Sequence, residues 1–144
     1  MALQTDLVDG TRTEVLEQLP TTVMTVQEAR ALVQEFAEAT AKQNVDVFLS
    51  GFTDDCVVWY PPAPIMHGKP SFRKFLEARQ PRMDLVVEKQ LRTLNGNVLG
   101  VTWNSRWIDP NDGSKHERRG VEFWILRDRQ IARWDCATAT YPID

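Results

Sequence analysis

Val26, Ala29, Val33, Phe36, Ala37 and Thr40 recur mostly at steps of three or four, the period of a single helix face. Thr25 precedes this run and Glu28 follows three residues later, a capping box in which the hydroxyl and the carboxyl each satisfy a free backbone N–H. Lys42 falls in the last turn, where a cation suits the helix dipole. The pattern predicts a helix over Thr25–Gln43. Asn44 reads as the N-cap of a second, short helix that buries Val45, Phe48, Leu49 and Phe52. Asp54–Asp55 then reads as a tight turn, and the β-branched and aromatic run Cys56–Tyr60 as a strand. Pro61, Pro62 and Pro64 end that strand, because proline has no N–H for a ladder. Gly68, Lys69 and Pro70 open a third helix with Phe72, Phe75 and Leu76 inward, and Pro81 closes it.

Beyond Pro81 the period changes to two. Leu85–Leu94, Val98–Ile108, His116–Arg127 and Gln130–Thr140 read as four strands. They are separated by the turn signals Asn95-Gly96-Asn97, Asp109–Gly113 and Asp128-Arg129. Helices followed by an antiparallel meander make an α+β layout. The helices have one apolar stripe each, so the sheet must curve around them, and Phe36, Phe48, Phe52, Phe72 and Phe75 are expected to be buried between the layers. Such a wrapped sheet encloses a pocket. Residues 1–24 read as an N-terminal arm with one helical turn ended by Pro20, and 25–144 as a single domain.

Composition narrows the classes. A length of 144 residues fits one domain, and 42% hydrophobic with 26% charged residues is the mix of an ordinary globular chain. With a net charge of −3 and no basic run beyond Arg118-Arg119, nucleic acid is not an expected partner. The start MALQTDLVDG lacks an apolar signal core, and no stretch is long enough to span a membrane. Cys56 and Cys136 have no metal spacing and read as reduced thiols, which points to the cytoplasm. His67 and His116 are isolated, so no metal site is expected.

Glu122 is the strongest chemical candidate. It stands between apolar residues in VEFWIL, where an ionised carboxyl loses hydration unless it is paired. Burial would suit it to general acid or base work, with Asn104, Arg106 or Tyr60 as the expected neighbour. A structural salt bridge to Arg106 or Arg133 is the plain alternative. Tyr60 ends its strand pointing inward, where a phenol can donate to a ligand oxygen. Trp124 and Trp134 would shape an apolar cavity, Cys136 is a weak nucleophile candidate, and His67 sits where the proline-rich loop borders the pocket mouth.

The segments Phe52–Pro61, His67-Gly68-Lys69, Gly120–Trp124 and Gln130–Asp135, in this order of elements, resemble the nuclear transport factor 2-like superfamily. The closer likeness, over residues 25 to 140, is to its bacterial SnoaL-like and ketosteroid-isomerase-like branch. The resemblance implies a cone-shaped, curved antiparallel sheet packed against N-terminal helices, with a deep apolar pocket. It also implies a homodimer built on the outer sheet face. Site residues carry over unevenly. Tyr60 occupies the place of the isomerases' aspartate base and Phe36 that of an oxyanion-hole tyrosine, both arguing against steroid isomerisation. Glu122 keeps a carboxyl at the second oxyanion-hole position. The catalytic aspartate of the last strand in the cyclases and epoxide hydrolases falls on Cys136, with Asp135 one position early. Where the hydrolases need an Arg/Asp pair, this chain offers Thr102, Asn104 and Arg106, or Trp103, Ser105 and Trp107, depending on strand register.

The expectation is therefore a small-molecule-binding domain, taking an apolar, oxygen-bearing molecule and performing cofactor-independent acid/base chemistry: isomerisation, cyclisation, dehydration or hydrolysis. Glu122 and Tyr60 would be catalytic, and Phe36, Val58, His67, Asn104, Arg106, Trp124, Trp134 and Cys136 would contact the ligand. The alternative is a non-catalytic ligand-binding or dimerisation module of the same fold. Large apolar residues on both faces of Val98–Ile108 and Val121–Arg127 favour a homodimer through the outer strands.

Overall fold

Thr25 caps the first helix: its Oγ1 accepts from the Glu28 N–H at 3.2 Å while Glu28 Oε2 accepts from the Thr25 N–H at 2.8 Å. This box opens α1 (Val26–Ala41). Asn44 Oδ1 accepts from the Val47 N–H at 3.1 Å and opens α2 (Val45–Leu49). These details come from a computed structural model, which describes residues 24–143. The expected arm, with its helical turn before Pro20, lies outside the described residues.

The first strand, β1 (Phe52–Trp59), starts earlier than its sequence suggested. Asp54 and Asp55 do not make a turn; they sit inside β1, where the register against its neighbour shifts between Phe52 and Val57. The shift leaves both side chains outside the ladder, where Lys69 lies 3.4 Å from Asp54 and Arg127 3.0 Å from Asp55. After the prolines comes the short β2 (Met66–His67), then α3 (Lys69–Glu77). Gly68 enters that helix at φ 81°, a conformation that costs glycine little. Four long strands complete the chain: β3 (Met83–Asn95), β4 (Val98–Ile108), β5 (Lys115–Arg127) and β6 (Gln130–Pro142). Asp128 and Arg129 join the last two with φ 49° and 66°, the signs that a tight type I′ hairpin requires.

The six strands form one curved, unclosed sheet in the order β2-β1-β6-β5-β4-β3. β3 to β6 are an antiparallel meander, and β1 pairs antiparallel with β2. The expectation of a purely antiparallel sheet fails at one seam, because β1 runs parallel to β6. Parallel neighbours need a long crossover. Here the connection from β1 to β6 is about half of the chain, so the strand that leaves the helical hairpin can dock on the free edge of the finished meander.

The helices fill the concave face. Phe36, Phe52, Phe72, Trp124 and Trp134 are buried there, with Phe36 4.8 Å from Trp124 and Phe52 5.1 Å from Phe72 between ring centroids. Phe48 and Phe75, also expected in the core, are only partly buried, Phe48 because it borders a cavity. Truncating a ring at the centre of this cluster removes apolar contacts that nothing can replace. Phe72→Ala is expected to lower unfolding free energy by about 3–5 kcal/mol. Thr25→Ala, at an exposed cap, should cost only about 1 kcal/mol. Urea denaturation of the two variants beside the wild type checks the ranking.

Candidate functional site

Strand parity decides which side chains reach the concavity. Across the meander, Val101 pairs with Glu122 and Glu122 with Cys136, so these three share the inner face. The same parity puts Val87, Lys89 and Leu91 of β3, Trp103, Ser105 and Trp107 of β4, and Arg118 and Trp124 of β5 inside. Trp103 faces Gly120 across the ladder, and a Cβ at Gly120 would stand 2.5 Å from the indole. The missing side chain is what lets that ring lie over β5.

Glu122 is the hub. Its side chain is fully buried, and four donors meet it. Lys89 Nζ lies 2.6 Å and Trp124 Nε1 3.0 Å from Oε1, while Trp134 Nε1 lies 3.0 Å and Cys136 Sγ 3.7 Å from Oε2. The Lys89 side chain is itself 6% exposed, and its ammonium stands 5.2 Å from the Trp103 ring centre. A carboxyl and an ammonium can leave water only when paired and hydrogen-bonded in this way.

The pair lines a small chamber of about 50 Å³, whose walls include Tyr60, Ser105, Trp134, Arg79, Arg82 and Arg118. Tyr60 accepts a hydrogen bond from Arg118 Nη1 at 3.3 Å, which leaves its own O–H free to donate. Ser105 Oγ and Arg79 Nη2 are buried without hydrogen-bond partners among the described residues. Beside this chamber lies a larger cavity of about 340 Å³, walled by Val45, Leu76, Pro81 and Leu85. Thr40, Phe48, Arg79 and Arg82 line both spaces, so the larger one is a vestibule to the smaller.

The candidates from sequence divide sharply. Glu122, Tyr60 and Trp134 converge on the chamber, with Trp124 and Cys136 in the shell behind it. Phe36 and Val58 are core residues that line neither cavity. Asn104 and Arg106 are misplaced by the sequence reading: they lie on the outer face, Arg106 exposed, because Trp103, Ser105 and Trp107 take the inner positions of β4. His67 is exposed on β2 beside the buried Met66 and does not reach the pocket mouth. Burial pushes the Cys136 thiol up to about 12, with the Glu122 charge adding to the effect. At neutral pH it is a hydrogen-bond donor and no nucleophile.

The expected neighbour of Glu122 was Asn104, Arg106 or Tyr60; the structure supplies Lys89 instead. Its signal was present. Leu85, Val87 and Leu91 mark one apolar face of β3, and Lys89 interrupts that face. Arg79 and Arg82, in the segment after α3, carried no such signal. Among the described residues, no three His, Cys, Asp or Glu side chains gather into a set that could hold a metal ion.

A curved, unclosed α+β sheet with helices packed on its concave face is the architecture of the nuclear transport factor 2-like class. Within it, the model of the SnoaL-like domain matches residues 33–134, and the chain belongs to that family. A search of curated proteins gives no match. Among solved structures, the chain is similar to the epoxide hydrolase/cyclase-like enzyme SalBIII of pyran ring formation in salinomycin. That likeness has 16% identity and a TM-score of 0.66, over 83% of this chain and 100% of that one. A proposed isomerase from Bacillus subtilis shares 14% identity with a TM-score of 0.69, over 81% and 90% of the two chains. A proposed polyketide cyclase from Xanthomonas campestris pv. campestris shares 24% with a TM-score of 0.59, over 74% and 86%. At such identities the likeness concerns the fold.

The hub carries a stability prediction. Lys89→Met strands a buried carboxyl and Glu122→Leu a buried ammonium, and each is expected to cost about 3–5 kcal/mol. The double variant should lose clearly less than the sum of the two, because no charge remains unpaired. Urea denaturation of the four proteins gives the coupling directly.

Proposed function

We propose that the chain is an enzyme of the SnoaL-like family that transfers protons on an apolar, oxygen-bearing small molecule, with its own side chains as the only acid and base. The observation that carries this reading is the buried Lys89–Glu122 pair lining a chamber that is also lined by Tyr60. A buried ion pair contributes little to stability over an apolar pair. Chemistry is a better account of its presence at a cavity than packing is.

The geometry suggests the following division of labour. The Lys89 ammonium can pass a proton across its 2.6 Å contact to Glu122. The amine so formed takes a proton from the carbon beside a substrate carbonyl. Tyr60 donates to the substrate oxygen as it gains charge, with Arg118 behind the phenol. Returning the proton at another atom gives isomerisation; attack of the carbanion on a second carbonyl of the same molecule gives ring closure, the new alkoxide taking the proton back; departure of a neighbouring hydroxyl as water, with the proton that Lys89 took, gives dehydration. Trp124 and Trp134 hold Glu122 in one orientation throughout.

Hydrogen–deuterium exchange at carbon tests this without knowledge of the substrate. The wild type, incubated in D₂O with a panel of enolisable ketones and oxo acids, is expected to accelerate exchange seen by proton NMR. Lys89→Met and Glu122→Gln should each lose about 100-fold or more, the range of general acid–base catalysis, and Tyr60→Phe less. A second reading, a non-catalytic binding module, is favoured by the four donors that already occupy the Glu122 oxygens. Ligand binding with no exchange across the panel would select it.

The homodimer is part of the same proposal. Val121 and Phe123 are each 53% exposed on the outer face of β5, and Val86 is 51% exposed on β3. An apolar patch of that kind on a sheet face suits a second copy. Sedimentation velocity at micromolar concentration is expected to show a dimer, and Phe123→Glu a monomer with its circular dichroism unchanged.

A further inference from the structure

Three arginines meet at the junction of vestibule and chamber, and none has an acidic partner among the described residues. Arg79 and Arg82 line both spaces, and Arg118 lines the chamber. Their guanidinium groups rest on aromatic rings instead. Arg79 lies 5.1 Å from the centre of Tyr60 and 4.6 Å from that of Phe75, while Arg82 and Arg118 lie 4.2 and 5.4 Å from that of Trp107. Their remaining polar contacts are with neutral groups: Arg118 donates to Thr140 Oγ1 at 2.6 Å and to Tyr60, and Arg82 meets Gln43 only through its backbone. Elsewhere Arg73, Arg119 and Arg127 have carboxylates within 4 Å, and Arg106, which has no ion pair among the described residues, is exposed to water, whereas these three face the cavity. The acids that do line these cavities are already taken, Glu122 by Lys89 and Glu77 by Arg73. Burial pulls Arg82 down to about 10, helped by the charges of Arg118 and Arg79, and burial lowers Arg79 as well. For both groups loss of hydration is the larger cause, and the neighbouring cations add to it.

We infer that this junction binds a carboxylate, and that the molecule it takes is an amphipathic organic acid. Its carboxylate sits between Arg79, Arg82 and Arg118, and its apolar body lies in the vestibule against Val45, Leu76, Pro81 and Leu85. Planar guanidinium groups, fixed by the rings beneath them, match a carboxylate in two-point hydrogen bonds. Arg79 Nη2, which has no partner, supplies one of the donors. A chamber as narrow as this, about 50 Å³, favours a flat carboxylate over a bulkier tetrahedral phosphate ester. The anion also neutralises a cluster that otherwise repels itself, so binding draws on electrostatic energy already present in the free protein. The inference rests on the proposed function for its site and adds the substrate class: an oxo acid, with the carbon beside its keto group brought toward Lys89.

Isothermal titration of the full chain with three probes of one shape tests it: 4-phenylbutyrate, 4-phenylbutyramide and 3-phenylpropyl phosphate. The carboxylate is expected to bind at least tenfold tighter than the amide, and tighter than the phosphate. Arg79→Gln and Arg118→Gln should each weaken the carboxylate about tenfold and leave the amide unchanged. Arg106→Gln, on the outer face, should change neither. Arg82→Gln removes a repelling charge and should raise the melting temperature while weakening the carboxylate. Equal affinity for acid and amide, preference for the phosphate, no binding of the acid, or folded arginine variants that keep full affinity would each overturn the inference. The comparison of probes on the wild type needs no variant to fold. Carboxylate preference without carbon exchange would sink the enzymatic reading alone, and exchange on neutral ketones without carboxylate preference would sink this inference alone.

Discussion

A carboxyl group that cannot reach water organises this molecule. Glu122 sits on β5, and its four donors come from β3, β5 and β6, so one side chain ties together three strands of the meander. Each partner is thereby fixed in turn. The two indoles are turned so that their N–H edges point inward at Glu122 while their faces meet Phe36, Phe52 and Phe72. Lys89 is drawn out of solvent and held against Trp103. Loss of any one member would leave buried polar groups unpaired, which is why the hub behaves as a unit.

The hub also marks the inner end of the cavity, where its smaller part holds the buried ion pair. Core packing continues from the helices down to Phe48 and Trp134, and the smaller chamber begins there. Above it, the segment between α3 and β3 contributes apolar wall and two arginines at once. Arginine is the cation suited to such a place, because its flat, weakly hydrated head can stack on a ring and still offer donors at its edge. On the proposed reading, a vestibule leading to a charged throat suits a molecule with an apolar body and an anionic head. The fold does not dictate that choice, since the same scaffold supports many chemistries through the residues grafted on it.

The sheet's two faces show how one alternating pattern serves two ends. On β4 the inward set is Val101, Trp103, Ser105 and Trp107, and the outward set is Gly100, Thr102, Asn104 and Arg106. The inward set is the more apolar, interrupted by Ser105, while the apolar ends Val98 and Ile108 fall on the outward side, so alternation hints at the inner face without fixing it. Pairing with β5 fixes it, through Val101 opposite Glu122. A one-residue error in register would have exchanged the sets completely, and that is how Asn104 and Arg106 came to be read as ligand contacts.

What the sequence determined by itself was the local order. The capping box at Thr25, the Asn44 cap, the prolines after Tyr60, Pro70 in the first turn of α3 and the Gly96, Gly113 and Asp128-Arg129 turns all act within a few residues, and each stands where the pattern put it. The special standing of Glu122 was legible as well, because a carboxyl set among apolar residues in a strand must find a partner or give up its charge. Tertiary structure alone decided the rest. The Asp54–Asp55 pair belongs to a strand because β6, far along the chain, pairs around it. Lys89 is an ion-pair partner only because β4 lies between it and β5, carrying both strands around the same curve. The three arginines come from a loop and a strand some forty residues apart. Local propensity cannot report such meetings: a lysine or arginine on a chain has the same short-range preferences whether water or a buried carboxyl awaits it, and only the assembled sheet determines which it meets.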